Sequence, residues 1–165
     1  MQIKTKDGQF SVLVVDDDPV SRDVAEHVAR GLGFRVDTVE SGSDAIKKCK
    51  TGFYNLVLMD VEMPGIDGLA ATQAIRKISR TWAYEAKIVA LTGKISSKEH
   101  VVKCLQAGMN DCLAKPLKPD TLKKRIPLWL QQKKAPDVAA LAKPQSGPVA
   151  ANPGESASPQ DSSKS

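Results

Sequence analysis

The stretch "NLVLMDVEMPGIDG", residues 55–68, decides how this chain folds. Leu56, Val57, Leu58 and Met59 are consecutive apolar residues, the pattern of a strand buried on both faces. Asp60 follows at once, then a Pro64-Gly65 turn and a second acid, Asp67. A strand buried on both faces belongs to a parallel sheet covered by helices on either side. In such sheets the crevice for a ligand opens outside the carboxyl ends of the strands. Asp60 falls at that end, whereas Asp67-Gly68 reads as the entry to a helix, with Asp67 a cap rather than a ligand.

The same alternation extends in both directions. Residues 11–15 (SVLVV) read as a buried strand. Asp18 suits an N-cap, and Pro19 is tolerated at the first helical position. Val20, Val24, Val28 and Leu32 then recur at helical spacing, with Arg22, Asp23, Glu26 and Arg30 on the other faces, until Gly31 and Gly33 end the helix. Residues 34–39 predict a strand and 43–50 a helix closed by Gly52. Residues 55–59 are the strand quoted above, and 68–78 the helix after it. A polar loop over 79–86 carries Trp82 and Tyr84, expected to pack over it. Residues 87–91 predict a strand. Residues 96–99 form a capping box, from Ser96 to Glu99, that opens a helix through Gln106, stopped by Gly108. A short strand follows near 112–114. A last helix runs from 119 to about 133, kinked by Pro127 and anchored by Trp129, with Leu128 and Leu130 beside it. Five strands alternating with five helices predict an α/β fold: a doubly wound five-stranded parallel sheet in three layers.

Composition agrees with one such domain. Of the 165 residues 41% are hydrophobic and only 4% aromatic, so aliphatic packing must supply the core. Cys49, Cys104 and Cys112 are odd in number and widely spaced, which argues against a disulfide framework or zinc knuckle and for buried reduced thiols in a cytoplasmic protein. No apolar run is long enough for a membrane span, and the first residues lack a signal-peptide core. Residues 1–134 carry 22 basic and 16 acidic groups, a net +6 that permits acidic partners without requiring them. The densest basic run, Lys123, Lys124 and Arg125, has no aromatic interleaving and reads as a solvated helix face, so nucleic-acid binding and direct membrane contact are not expected. Residues 1–9 read as a polar leader. From residue 135 to 165 proline, alanine, serine and glycine dominate with no aromatic residue, the composition of a disordered tail or linker.

The carboxyl edge of the predicted sheet collects particular chemistry. The first strand delivers Asp16, Asp17 and Asp18, the third Asp60, the fourth Thr92 and the fifth Lys115. Each alone has a structural explanation: a helix cap, a turn, a surface lysine. Together they place carboxylates, a hydroxyl and an ammonium in one crevice. Clustered carboxylates repel one another without a counter-charge. Mg²⁺ resolves this, since it takes oxygen ligands, keeps waters and typically uses one or two carboxylates plus phosphate oxygens. A phosphoryl group entering such a site finds the positioning and charge neutralisation that phosphoryl transfer requires, and a carboxylate can itself become the acceptor.

At this point the chain resembles a known family. "LVVDDDPVSR", "LVLMDVEMPGIDGL", "IVALTG" and "GMNDCLAKPLKP" are similar, in order and spacing, to the motifs of receiver domains in two-component signalling, closest in style to receivers of hybrid histidine kinases. The resemblance covers about residues 10–132 and implies a flavodoxin-like receiver domain over 10–134. It implies that Asp60 accepts a phosphoryl group from a phosphohistidine in a Mg²⁺-dependent reaction, with self-catalysed transfer and hydrolysis as the only catalysis. Asp17 would touch the metal directly, Asp16 through water, and Glu62 through its backbone carbonyl, with the Glu62 side chain facing the phosphoryl group. Thr92 would be the switch hydroxyl and Lys115 the phosphate-binding lysine, in a cis Lys115-Pro116 peptide. The implied partner is a histidine kinase or a histidine-containing phosphotransfer protein. The implied output is a changed surface on the fourth helix, fifth strand and fifth helix.

Two positions depart from the pattern. Cys112 stands where an aromatic switch residue is usual, and Pro127 interrupts a helix often used for dimerisation, so a monomer or weak dimer is expected. His27 and His100 lie on predicted helices without ligand partners and read as surface residues. Two other readings compete. "DDDPV" also fits a haloacid-dehalogenase-type phosphatase with Asp16 as nucleophile and Asp18 as acid, but no acidic pair follows Lys115, and Asp60 is left unexplained. A phosphate-independent pseudo-receiver would lack one of the acidic or lysine positions, and none is lacking.

Overall fold

The computed structural model describes residues 4–5, 8–78 and 86–132. The predicted tail and Trp82 and Tyr84 lie outside the described residues. The first described elements are a two-stranded antiparallel ladder, β1 (Lys4–Thr5) and β2 (Gly8–Gln9), where the sequence suggested only a polar leader. There follow β3 (Ser11–Val15), α1 (Pro19–Gly31), β4 (Arg35–Val39), α2 (Gly42–Thr51), β5 (Leu56–Asp60), α3 (Gly68–Arg76), β6 (Lys87–Thr92), α4 (Lys98–Gln106), β7 (Asp111–Ala114) and α5 (Pro119–Gln131).

β3 to β7 form one parallel sheet in the order β4-β3-β5-β6-β7. Its strand residues sort by parity onto two cores. Val12, Val14, Leu56, Leu58, Val89 and Leu91 face α1 and α5, where Ala25, Ala29, Leu122, Ile126 and Trp129 close the layer. Leu13, Val15, Val57, Met59, Ile88 and Ala90 face α2, α3 and α4, where Ala45, Cys49, Ala71, Ile75 and Cys104 do so. The predicted three-layer, doubly wound sheet is therefore the observed one. Because β3 lies between β4 and β5, successive crossovers diverge there, and the crevice of such a sheet opens between the ends of β3 and β5.

Local signals set most helix ends. The Asp18 carboxylate accepts from Ser21 N at 2.9 Å and Pro19 opens α1. The Asp67 carboxylate accepts from Ala70 N at 2.8 Å, so it is a cap, as read. α4 differs. Its cap is Ser97, which accepts from His100 N, and not Ser96, so the expected capping box does not form. One other expectation fails at a helix surface. Val20 is 69% exposed at the first turn of α1, while Val24 and Leu32 pack on the core. Leu128 and Leu130 are exposed, whereas Trp129 between them is buried and donates from Nε1 to Asp111 Oδ2 at 2.8 Å. α5 continues through Pro127 to Gln131.

Candidate functional site

β3 and β5 converge on the crevice with their acidic ends. Asp16 is fully buried, Asp60 is 5% exposed, and Asp17 is open to solvent. One carboxylate oxygen from each of the three lies within 4.8 Å of the others. The close approach of α3 behind Asp60 depends on Gly68, because a Cβ there would sit 2.2 Å from the Asp60 carbonyl oxygen. A side chain at residue 68 would push the helix off the strand that carries the acid.

Among the described residues a single ammonium enters this cluster. Lys115 follows β7 and precedes a cis bond to Pro116. Its Nζ lies 2.8 Å from Asp16 Oδ2 and 3.2 Å from Asp60 Oδ1. Asp16 is fixed from its other side: Oδ1 accepts from Asp18 N at 2.9 Å, and its carbonyl accepts from Arg22 Nη1 at 2.9 Å. Asp16 Oδ2 nevertheless has no hydrogen bond of acceptable geometry, so this buried oxygen has its lysine ion pair and nothing else among the described residues.

The electrostatics follow from this imbalance. Burial, and then the neighbouring Asp16 charge, push the Asp60 carboxyl up to about 7, with Lys115 partly offsetting them. Burial works against the charge of Lys115, but hydrogen bonding and attraction to Asp16 and Asp60 outweigh it and hold the ammonium above the usual lysine range. Such a site has a surplus of negative charge, an under-satisfied buried oxygen and only hard oxygen donors. These residues fit a divalent cation of the Mg²⁺ type.

Thr92 ends β6 and is buried. Its Oγ1 accepts from Lys94 N at 3.0 Å and lies 3.0 Å from His100 Nε2. Glu62 stands apart from the three-acid group. Its side chain is exposed and pairs with the Lys94 ammonium, which holds its carboxyl below the usual range. Lys94 thus joins the loop after β5 to the loop after β6. Cys112 is buried against Cys104 and supplies no ring to Thr92. His100, read from the sequence as a surface residue, is half-buried and meets the Thr92 hydroxyl. The signal that could have found it is its place in the first turn of the helix directly after the Thr92 loop.

The phosphatase reading loses its groups here. Asp16 is fully buried and bonded at one oxygen, and the Asp18 carboxylate is occupied in capping α1.

An acidic crevice at the switch point of a five-stranded doubly wound sheet, with Lys115 reaching into it, fits a site that takes a divalent cation and a phosphoryl group. The sequence profile described as "Response regulator receiver domain" matches residues 12–127, and the chain belongs to that family. Transcription factor SKN7 of Saccharomyces cerevisiae is 40% identical over 131 residues, covering 74% of this chain and 20% of that protein. Sensor histidine kinase RcsC of Salmonella typhimurium is 33% identical over 131 residues, covering 78% and 13%. The chain therefore spans about a fifth or less of these curated relatives. Among solved structures, the receiver domain of sensor histidine kinase PA1611 from Pseudomonas aeruginosa is 36% identical, with a TM-score of 0.67 over 76% of this chain and all of that one. That crystal structure has a magnesium ion coordinated in its active-site cleft. The chain is a receiver domain of two-component signalling, a class that works with histidine kinases or phosphotransfer proteins. Among its described residues no helix is long and apolar enough to cross a membrane.

Proposed function

We propose that this receiver takes a phosphoryl group from a phosphohistidine onto Asp60, with Mg²⁺ held by Asp16, Asp17, Asp60 and the Glu62 carbonyl. The observation that carries the reading is the convergence of two further carboxylates, Asp16 and Asp17, and of Lys115 on Asp60 at the end of the central strand. A carboxylate oxygen of Asp60 attacks phosphorus, the P–N bond to the donor imidazole breaks, and the imidazole leaves with the electron pair and takes up a proton. Mg²⁺, when bound, supplies positive charge to the phosphoryl oxygens and the ionised acids. Lys115 Nζ, already on Asp60 Oδ1, neutralises a further oxygen, and Thr92 donates its hydroxyl to another. Asp16 positions: its bonds to Asp18 N and Lys115 fix the floor of the crevice. Catalysis is confined to the chain's own phosphorylation and hydrolysis.

The donor is a histidine kinase or a histidine-containing phosphotransfer protein, and the setting is cytoplasmic. The folded unit is residues 10–134, with 135–165 as a tail or linker, acting as a monomer or weak dimer. Output passes through the surface of α4, β7 and α5. The test is phosphotransfer from a panel of histidine-phosphorylated donors, with the Asp60→Asn variant alongside. Label that moves to wild type and not to the variant supports the reading. Label that moves equally to both removes Asp60 from the role.

A further inference from the structure

The partner of the Thr92 hydroxyl is not the one that the family pattern leads one to look for. Three residues before Lys115 stands Cys112, whose thiol is buried against Cys104 and faces α4 and not Thr92. The ring that meets Thr92 comes from α4 itself. His100 Nε2 lies 3.0 Å from Thr92 Oγ1. Its backbone is fixed by the Ser97 cap, where His100 N donates to Ser97 Oγ at 3.2 Å. The Thr92 side chain thus has two partners, Lys94 N in the loop leading into α4 and His100 in the first turn of α4.

A hydroxyl has one proton to give and two lone pairs to receive with. Lys94 N takes one lone pair. A phosphoryl oxygen only accepts, so Thr92 must turn its one proton towards Asp60 to engage it. In the tautomer that carries its proton on Nδ1, the His100 Nε2 at 3.0 Å accepts and competes for that same proton.

We propose that His100 is a positioning residue that holds the Thr92 hydroxyl towards α4, so that a phosphoryl group on Asp60 must break the Thr92–His100 contact and in doing so releases the first turn of α4. This couples the site to the α4 surface without an aromatic residue at 112. The inference rests on the receiver reading above.

The test is a double-mutant cycle on the affinity for beryllofluoride with Mg²⁺, a mimic of the phosphoryl group, using the wild type, His100→Phe, Thr92→Ala and the double variant. Loss of the competing contact in His100→Phe tightens binding about threefold to tenfold, the equilibrium worth of one net hydrogen bond. In the Thr92→Ala background the same change has no effect. A ring that merely fills space would move both backgrounds together. Equal or weaker binding by His100→Phe when Thr92 is present overturns the inference. In the wild type, the His100 ring nitrogen resonances shift on adding beryllofluoride and Mg²⁺, and in Thr92→Ala they do not. Resonances unmoved in the wild type also overturn it, without reliance on a His100 variant. Wild type that binds no beryllofluoride, or binds it equally as Asp60→Asn, brings down the receiver reading itself, which separates the two failures.

Discussion

The two ends of the sheet handle buried polarity in opposite ways. At the amino end, Arg76 donates to Gly108 O, Ala86 O and Asn110 Oδ1, at 2.9, 2.7 and 2.8 Å. The same Asn110 Oδ1 accepts from Ile88 N at 2.9 Å, and its amide donates to Gln132 Oε1 at 3.1 Å. Donors there meet acceptors, and the network ties α3, β6 and the approach to β7 together. At the carboxyl end three carboxylates cluster, Lys115 pairs with only Asp16 and Asp60, an oxygen of Asp16 lacks a proper hydrogen bond, and Asp60 resists ionisation. A satisfied network stabilises the fold. An unsatisfied one spends some of that stability on affinity for whatever supplies the missing positive charge.

That contrast can be broken from either end. Arg76→Met should cost about 3–4 kcal/mol of unfolding free energy, since several bonds to a charged donor are lost and their acceptors stay buried. Chemical denaturation checks this, and Mg²⁺ affinity should not change; weakened Mg²⁺ binding would merge the two ends. Asp17→Asn should do the reverse, lowering Mg²⁺ affinity at least about tenfold, as loss of metal-supporting groups does, while leaving stability nearly unchanged. Titration calorimetry reads the first quantity and thermal unfolding the second.

Asp60→Asn should stabilise the metal-free protein by on the order of 2 kcal/mol at pH 8. The sign follows from the raised carboxyl. A folded state that holds this proton up to about pH 7, against the ordinary 3.8, loses stability relative to the unfolded chain as pH rises between those values. The advantage of the variant therefore shrinks towards nothing as pH falls to 4. A variant no more stable than wild type at pH 8 would mean that the carboxyl end is not under charge strain. The smallest effect belongs to neither end: Ser97→Ala should cost about 1 kcal/mol through the lost α4 cap, whereas Ser96→Ala should cost nothing measurable.

The legible parts of the molecule are those that depend on local pattern. The apolar runs of β3, β5 and β6 and the caps Asp18 and Asp67 could be read directly, and with them the sheet and its acidic edge. Adjacent serines defeated the reading at α4, because the spacing to Glu99 favours Ser96 while the chain leaving Thr92 reaches helical geometry one residue later. Val20 follows the apolar period but stands exposed in the first turn of α1, so periodicity alone did not decide its burial. The Arg76–Asn110 network spans 34 residues and the Glu62–Lys94 pair 32, distances at which sequence pattern carries no contact information. His100 was missed for a related reason: a histidine on a helix with no ligand partners looks like surface until the loop before it is folded.

The central claim is that the surplus charge at the carboxyl end exists to receive a phosphoryl group on Asp60. The most direct measurement is incubation with acetyl phosphate, with and without Mg²⁺, followed by mass spectrometry under conditions that preserve acyl phosphates. The account predicts one added phosphate, dependent on Mg²⁺, located at Asp60 and absent from Asp60→Asn. Wild-type protein that acquires no phosphate, or carries it undiminished in Asp60→Asn, would contradict it.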